Sequence, residues 1–133
     1  MKVRRAARRP PAGAADFAAT FDALRAVLAP VAKTMKVSAD TPGLYTLLAQ
    51  PTPRFPDGIF FASVRTGKAY VSFHLMPIYA CADLQAGLSP ELRARMQGKA
   101  CFNFRTPPAP AQRRELAALV RAGRERFRRL RLP

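Results

Sequence analysis

Tyr70, Ser72 and His74 alternate along the stretch Ala69–Met76. On an extended chain this sets a phenol, a hydroxyl and an imidazole in a row on one face, spaced about 7 Å apart. Val71, Phe73 and Leu75 take the other face and mark the side that packs on helices. A second extended stretch, Lys99–Arg105, places Asn103 and Arg105 on its own outward face, with Lys99 and Tyr79 at strand ends. This donor set suits an anion or carboxylate, which Arg105 can hold with two parallel hydrogen bonds. The proline-rich run Pro51–Pro56 is placed to form a rim. The ligand-binding candidates are therefore Tyr70, Ser72, His74, Tyr79, Lys99, Asn103 and Arg105. The competing reading of the same face is the solvated side of a sheet, or a dimer interface.

Catalysis has less behind it. Ser72 and His74 share a face but have no acid to orient the imidazole and no nucleophile-elbow motif. Cys101 facing His74 across two strands would be the other route, through a thiolate. No glycine-rich phosphate loop is present, so no nucleotide cofactor is expected. One His, two Cys twenty residues apart and eight carboxylates, no two adjacent, give no expected metal site. The expectation is a binding module with no catalytic residue and no cofactor.

Charge supplies a second hypothesis. The 133 residues carry 23 Lys and Arg against 8 Asp and Glu, for a net charge of +15. Residues 1–15 hold five basic groups and no acid, 16–112 hold ten basic and six acidic groups, and 113–133 hold eight Arg and two Glu. Two basic ends therefore flank an ordinary middle, a distribution that draws polyanions. Nonspecific nucleic-acid binding would use Arg4, Arg5, Arg8 and Arg9 of the tail with Arg121, Arg124 and Arg128 of the last helix. Base-reading motifs are lacking. The partner classes are thus a small anionic ligand, another protein, a second copy of the chain as a homodimer, and nucleic acid.

The elements that must position these groups follow from periodicity. Residues 1–15 read as a disordered basic tail and 16–133 as one domain. Asp16 caps a helix whose stripe is Phe17, Phe21, Leu24, Leu28 and Val31, with Pro30 in its last turn. Strands are expected at Met35–Asp40, Leu44–Ala49, Ile59–Arg65, Ala69–Met76 and Lys99–Arg105. Phe60 and Phe61 cannot both be buried on one face, which motivates the homodimer. Short helical segments are expected around Cys81–Gln85 and from Ser89 to a Gly98 C-cap. A long helix, Ala111–Leu130, closes the chain, and Gly123 falls on its apolar stripe where a neighbour needs space. The expected fold class is α+β: an antiparallel five-stranded curved sheet packed by the N- and C-terminal helices, in the order α-β(4)-α-β-α. No stretch reaches 18 apolar residues and no secretory leader is visible, so a cytoplasmic protein without a membrane partner is expected.

Two runs carry a family resemblance: Lys68-Ala69-Tyr70-Val71-Ser72-Phe73-His74-Leu75-Met76-Pro77-Ile78-Tyr79, and Ser89-Pro90-Glu91-Leu92 leading through Arg95-Met96-Gln97-Gly98-Lys99 to Ala100-Cys101-Phe102-Asn103-Phe104. With the final helix they resemble the bacterial YdhG-like family, a domain family of unknown function, over about residues 16–130. The resemblance implies a compact α+β domain with a curved sheet. One type in that family is described as a frataxin-like iron chaperone. Iron delivery uses clustered carboxylates, whereas Asp16, Asp22, Asp40, Asp57, Asp83 and Glu91 are dispersed in a cationic chain, which argues against carrying that activity over.

Overall fold

The structure, a computed structural model, describes residues 16–129. The tail expected at 1–15, with Arg4, Arg5, Arg8 and Arg9, lies outside the described residues, as do residues 130–133.

The first helix, α1 (Phe17–Ala32), begins where Asp16 accepts a hydrogen bond from the Ala19 N–H at 3.2 Å. Thr20 is fully buried, and its hydroxyl is satisfied by the Asp16 carbonyl at 2.5 Å. Pro30 sits in the last turn, where it ends the helix two residues on. Four strands follow: β1 (Lys36–Thr41), β2 (Leu44–Ala49), β3 (Ile59–Thr66) and β4 (Val71–Leu75). The chain then passes straight from β4 into α2 (Met76–Ala80), a 3₁₀ turn (Ala82–Gln85) and α3 (Pro90–Arg93). A two-residue strand β5 (Met96–Gln97), strand β6 (Cys101–Phe104) and helix α4 (Pro110–Arg129) complete the order.

The sheet is open, antiparallel and six-stranded, in the spatial order β1-β2-β3-β4-β6-β5, so the expected count of five is corrected. The added strand is β5. Leu92 and Met96 are four apart and both meet the core, so the pattern imitates one continuous helix, yet α3 stops after a single turn. Gly98, at φ +74°, turns the β5–β6 hairpin and is not a helix C-cap. The onset of helix at Met76, with Pro77 in its first turn, likewise shortens the strand expected to run through Met76.

The core lies between one face of the sheet and the helices. Leu47, Val64, Val71, Phe73, Leu75 and Phe102 point into it, met by Leu24 and Leu28 of α1 and by Leu116 and Phe127 of α4. The register shift between Leu47 and Leu48 leaves Phe61 without a cross-strand partner. That bulge turns Phe61 to the same side as Ala62 and so decides which of the two adjacent phenylalanines is buried. Phe61 is buried edge-on against Phe127 at 5.3 Å, and Phe60 is half-buried on the opposite face. Gly123 packs directly on Pro77 of α2, where a Cβ would lie 2.7 Å from the ring.

Candidate functional site

Cross-strand register assembles the face that no helix covers. One row runs Leu44, Arg65, Ser72, Asn103, and the next runs Thr46, Ser63, His74, Cys101, Gln97. Leu48 and Phe60 pair in a third. Their alternation with the buried set follows from the two-residue period of a strand. Leu44, Thr46, Leu48, Phe60, Ser63, Ser72, His74, Cys101 and Asn103 are all half-buried, while Arg65 and Gln97 are exposed.

The polar groups of this face largely satisfy one another. Ser72 donates to Asn103 Oδ1 at 2.7 Å, and Asn103 Nδ2 donates to Gln97 Oε1 at 2.5 Å. His74 Nδ1 lies 3.2 Å from Cys101 Sγ, and the Phe60 ring meets the imidazole edge-on at 5.2 Å. Burial holds the His74 imidazole below its ordinary pKa of 6.5. Burial also raises the Cys101 thiol above its ordinary 9.0. Both shifts favour the uncharged partners, so near neutrality the pair is a thiol beside a neutral imidazole. A reactive thiolate needs the opposite: a depressed thiol pKa beside a cation. The expected neighbourhood of Cys101 and His74 is present, and its electrostatics are those of packing.

The seven ligand candidates do not converge on one point. Ser72, His74 and Asn103 form the centre. Lys99 lies in the β5–β6 turn, where its carbonyl accepts from Gln85 Nε2 at 3.1 Å, and Tyr79 lies on α2, 63% exposed. Tyr70 (42% exposed) and Arg105 stand at the opposite end of β4 and β6, the length of β6 away, roughly 13 Å at the usual rise per residue. The Arg105 carbonyl there accepts the Asp16 N–H at 3.0 Å. The loop 50–58 closes on itself through mutual Thr52 and Phe55 backbone bonds at 3.0 Å, at the Lys99 end of the sheet. Sequence reasoning did not include Gln97 and Phe60 in the site. Gln97 was hidden by its reading as helix, and Phe60 by a bulge that leaves no mark in the hydrophobic pattern.

The alternative cationic residues take a definite arrangement. Arg121, Arg124 and Arg128 lie along one stripe of α4, beside a groove that α4 forms with α1. Arg126 pairs with Asp83, Nη1 to Oδ1 at 2.8 Å, which holds the Asp83 carboxyl below its ordinary pKa. Arg129 lies 3.7 Å from Glu125. Among the described residues, no carboxylate lies within 4.0 Å of Arg121, Arg124 or Arg128. Also among the described residues, no group of three or more His, Cys, Asp or Glu is placed to hold a metal ion, and no helix is long and apolar enough to cross a membrane.

No family model, curated protein or solved structure matches the chain.

Proposed function

We propose that the chain is a non-catalytic binding module that engages an acidic protein partner through the uncovered face of its sheet. The observation that carries this is the composition of that face: Leu44, Leu48 and Phe60 interleaved with Thr46, Ser63 and Ser72, bordered by exposed Lys36, Arg65 and Arg105, with no carboxylate in its rows. A small anion would need free donors at the centre, but Ser72 and Asn103 are already engaged in side-chain bonds. Apolar contact from the middle and charge complementarity from the rim fit a protein surface instead. Six strands span roughly 24 Å and the strands run about 16 Å, so the patch covers about 400 Å² in plan. That is smaller than the roughly 800 Å² per partner of a stable complex, and it points to a transient one. The basic rim disfavours a second copy of the same chain.

A cytoplasmic setting belongs to this proposal, supported by the two half-buried, unpaired thiols of Cys81 and Cys101. Membership of the YdhG-like family belongs to it too, supported by the run of strand, short helices and strand over Lys68–Phe104. The iron-chaperone activity of that family is not part of the proposal. Nucleic-acid binding through α4 has behind it the three arginines that have no carboxylate partner among the described residues. The apolar groove beside them favours an anion with an apolar body over a bare phosphate backbone.

The test uses a synthetic peptide of alternating Glu and Val, titrated into the ¹⁵N-labelled full chain. Amide shifts should move at Thr46, Ser63, Ser72, His74 and Asn103, and the single substitution Phe60→Glu should weaken binding at least tenfold. The double variant His74→Ala/Arg105→Ala should weaken it while the chain remains folded. Shifts confined to α4, or binding indifferent to Phe60→Glu, would overturn the reading.

A further inference from the structure

The groove between α1 and α4 combines an apolar floor contributed by both helices with a cationic edge on α4. Its apolar part is made by Val27, Pro30 and Val31 of α1 with Ala117 and Val120 of α4, and its cationic part by Arg121, Arg124 and Arg128. The groove, open to solvent along one side, has a volume of about 360 Å³, within the range of small-molecule sites. On α4 the arginines fall at i, i+3 and i+7, so at 1.5 Å per residue they span roughly 10 Å along one edge. Adjacent members are one helical turn apart, near enough for one carboxylate to engage two of them.

A solvated charge run is the plain explanation for arginines on a surface helix, and Arg128 in the last turn also complements the negative end of the helix dipole. Neither accounts for the whole arrangement. Arg121 and Arg124 lie mid-helix, where the dipole offers nothing, and Arg124 is half-buried. The three have no carboxylate partner among the described residues, whereas Arg126, on a different face of α4, has one. Uncompensated like charges beside an apolar trough are relieved by an anion that can also cover the apolar wall.

We propose that this groove binds a small amphipathic carboxylate, an acyl chain of medium length with its head on Arg121 and Arg124 and its tail along Val27, Val31, Ala117 and Val120. The carbonyl end of α1 lies in the same groove near Thr34, and its partial negative charge turns the head toward the α4 wall. Thr34 donates its own hydroxyl proton to the Val31 carbonyl at 2.9 Å, so it offers the ligand no competing donor. The site is separate from the sheet face, and either reading can fail without the other.

The experiment is calorimetric titration of the full chain with decanoate, acetate and oligothymidylate at moderate salt. Decanoate should bind one to one and acetate should not bind at the same concentrations. Arg121→Ala/Arg124→Ala should weaken decanoate at least tenfold. Ala117→Phe, which fills the trough and keeps every arginine, should do the same. Both variants should melt cooperatively within a few degrees of the parent. The proposal is overturned if decanoate affinity is indifferent to both variants. It is equally overturned if oligothymidylate binds through the arginines, ignores Ala117→Phe, and decanoate does not bind.

Discussion

Replacing Gly123 by Ala sets local propensity against tertiary packing. In an isolated helix the change is favourable by about 1 kcal/mol, because Ala loses less backbone entropy on ordering. Here the added methyl carbon would lie 2.7 Å from Pro77 Cγ and 2.8 Å from Pro77 Cβ. Both distances are inside van der Waals contact, and the neighbour is a buried pyrrolidine ring with no rotamer to escape into. Relief requires α2 and α4 to separate, and overpacking of this kind costs roughly 1–3 kcal/mol. Subtracting the propensity gain leaves a net loss of about 1 kcal/mol, or about 4 °C in melting temperature for a domain of this size. The companion variant Ala118→Gly, on the exposed face of the same helix, carries the propensity term alone and should destabilise by about 1 kcal/mol. Thermal and urea unfolding of both variants against the parent gives the comparison. A Gly123→Ala protein that melts higher than the parent would refute the close contact between α2 and α4.

The His74–Cys101 pair should shape stability at both ends of the pH scale. With the imidazole pKa held below 6.5, the unfolded chain binds the proton first as pH falls, so this group removes stability below about pH 6.5. With the thiol held above 9.0, the unfolded chain loses its proton first as pH rises, so stability falls again above about pH 9. Urea unfolding midpoints from pH 5 to 10 should show a plateau between these limits, flattened at the acid end by His74→Ala and at the alkaline end by Cys101→Ala. Glu115 accepts from the Ser89 N–H at 2.7 Å and from its hydroxyl at 2.6 Å, while the same hydroxyl oxygen caps α3 by accepting the Leu92 N–H at 3.1 Å. Glu115→Ala should cost about 2 kcal/mol in urea unfolding and Glu115→Gln about half of that, since each of the two hydrogen bonds at this half-buried site contributes about 1 kcal/mol.

The two long helices and the long strands were legible because their periods were clean. The stripe Phe17, Phe21, Leu24, Leu28, Val31 predicts α1 to within a residue, and the alternation Val71, Phe73, Leu75 predicts both β4 and the face it buries. Gly123 was readable as a point of close approach because a glycine on an otherwise apolar helical stripe has no local reason to be there. Two residues cannot display a period, which is why β5 passed as helix. The candidate site was legible only in its middle. Alternation put Ser72, His74 and Asn103 on the outward face, but Tyr79 and Lys99 were assigned from their nearness in sequence to strand ends.

The amino-acid pattern alone sets the local choices: where Asp16 and Ser89 cap, where Pro30 ends helix, and which side of each strand is apolar. These depend on neighbours within a turn or two, so a one-dimensional reading reaches them. Tertiary structure alone decided the pairings. The register that sets Cys101 on His74, the bulge that buries Phe61 in place of Phe60, and the meeting of Val31 with Arg124 across a groove join residues 27 to 93 positions apart or turn on a single unpaired residue. Such contacts follow from the global packing minimum, in which loop closure and core burial are settled together, and no local pattern records them.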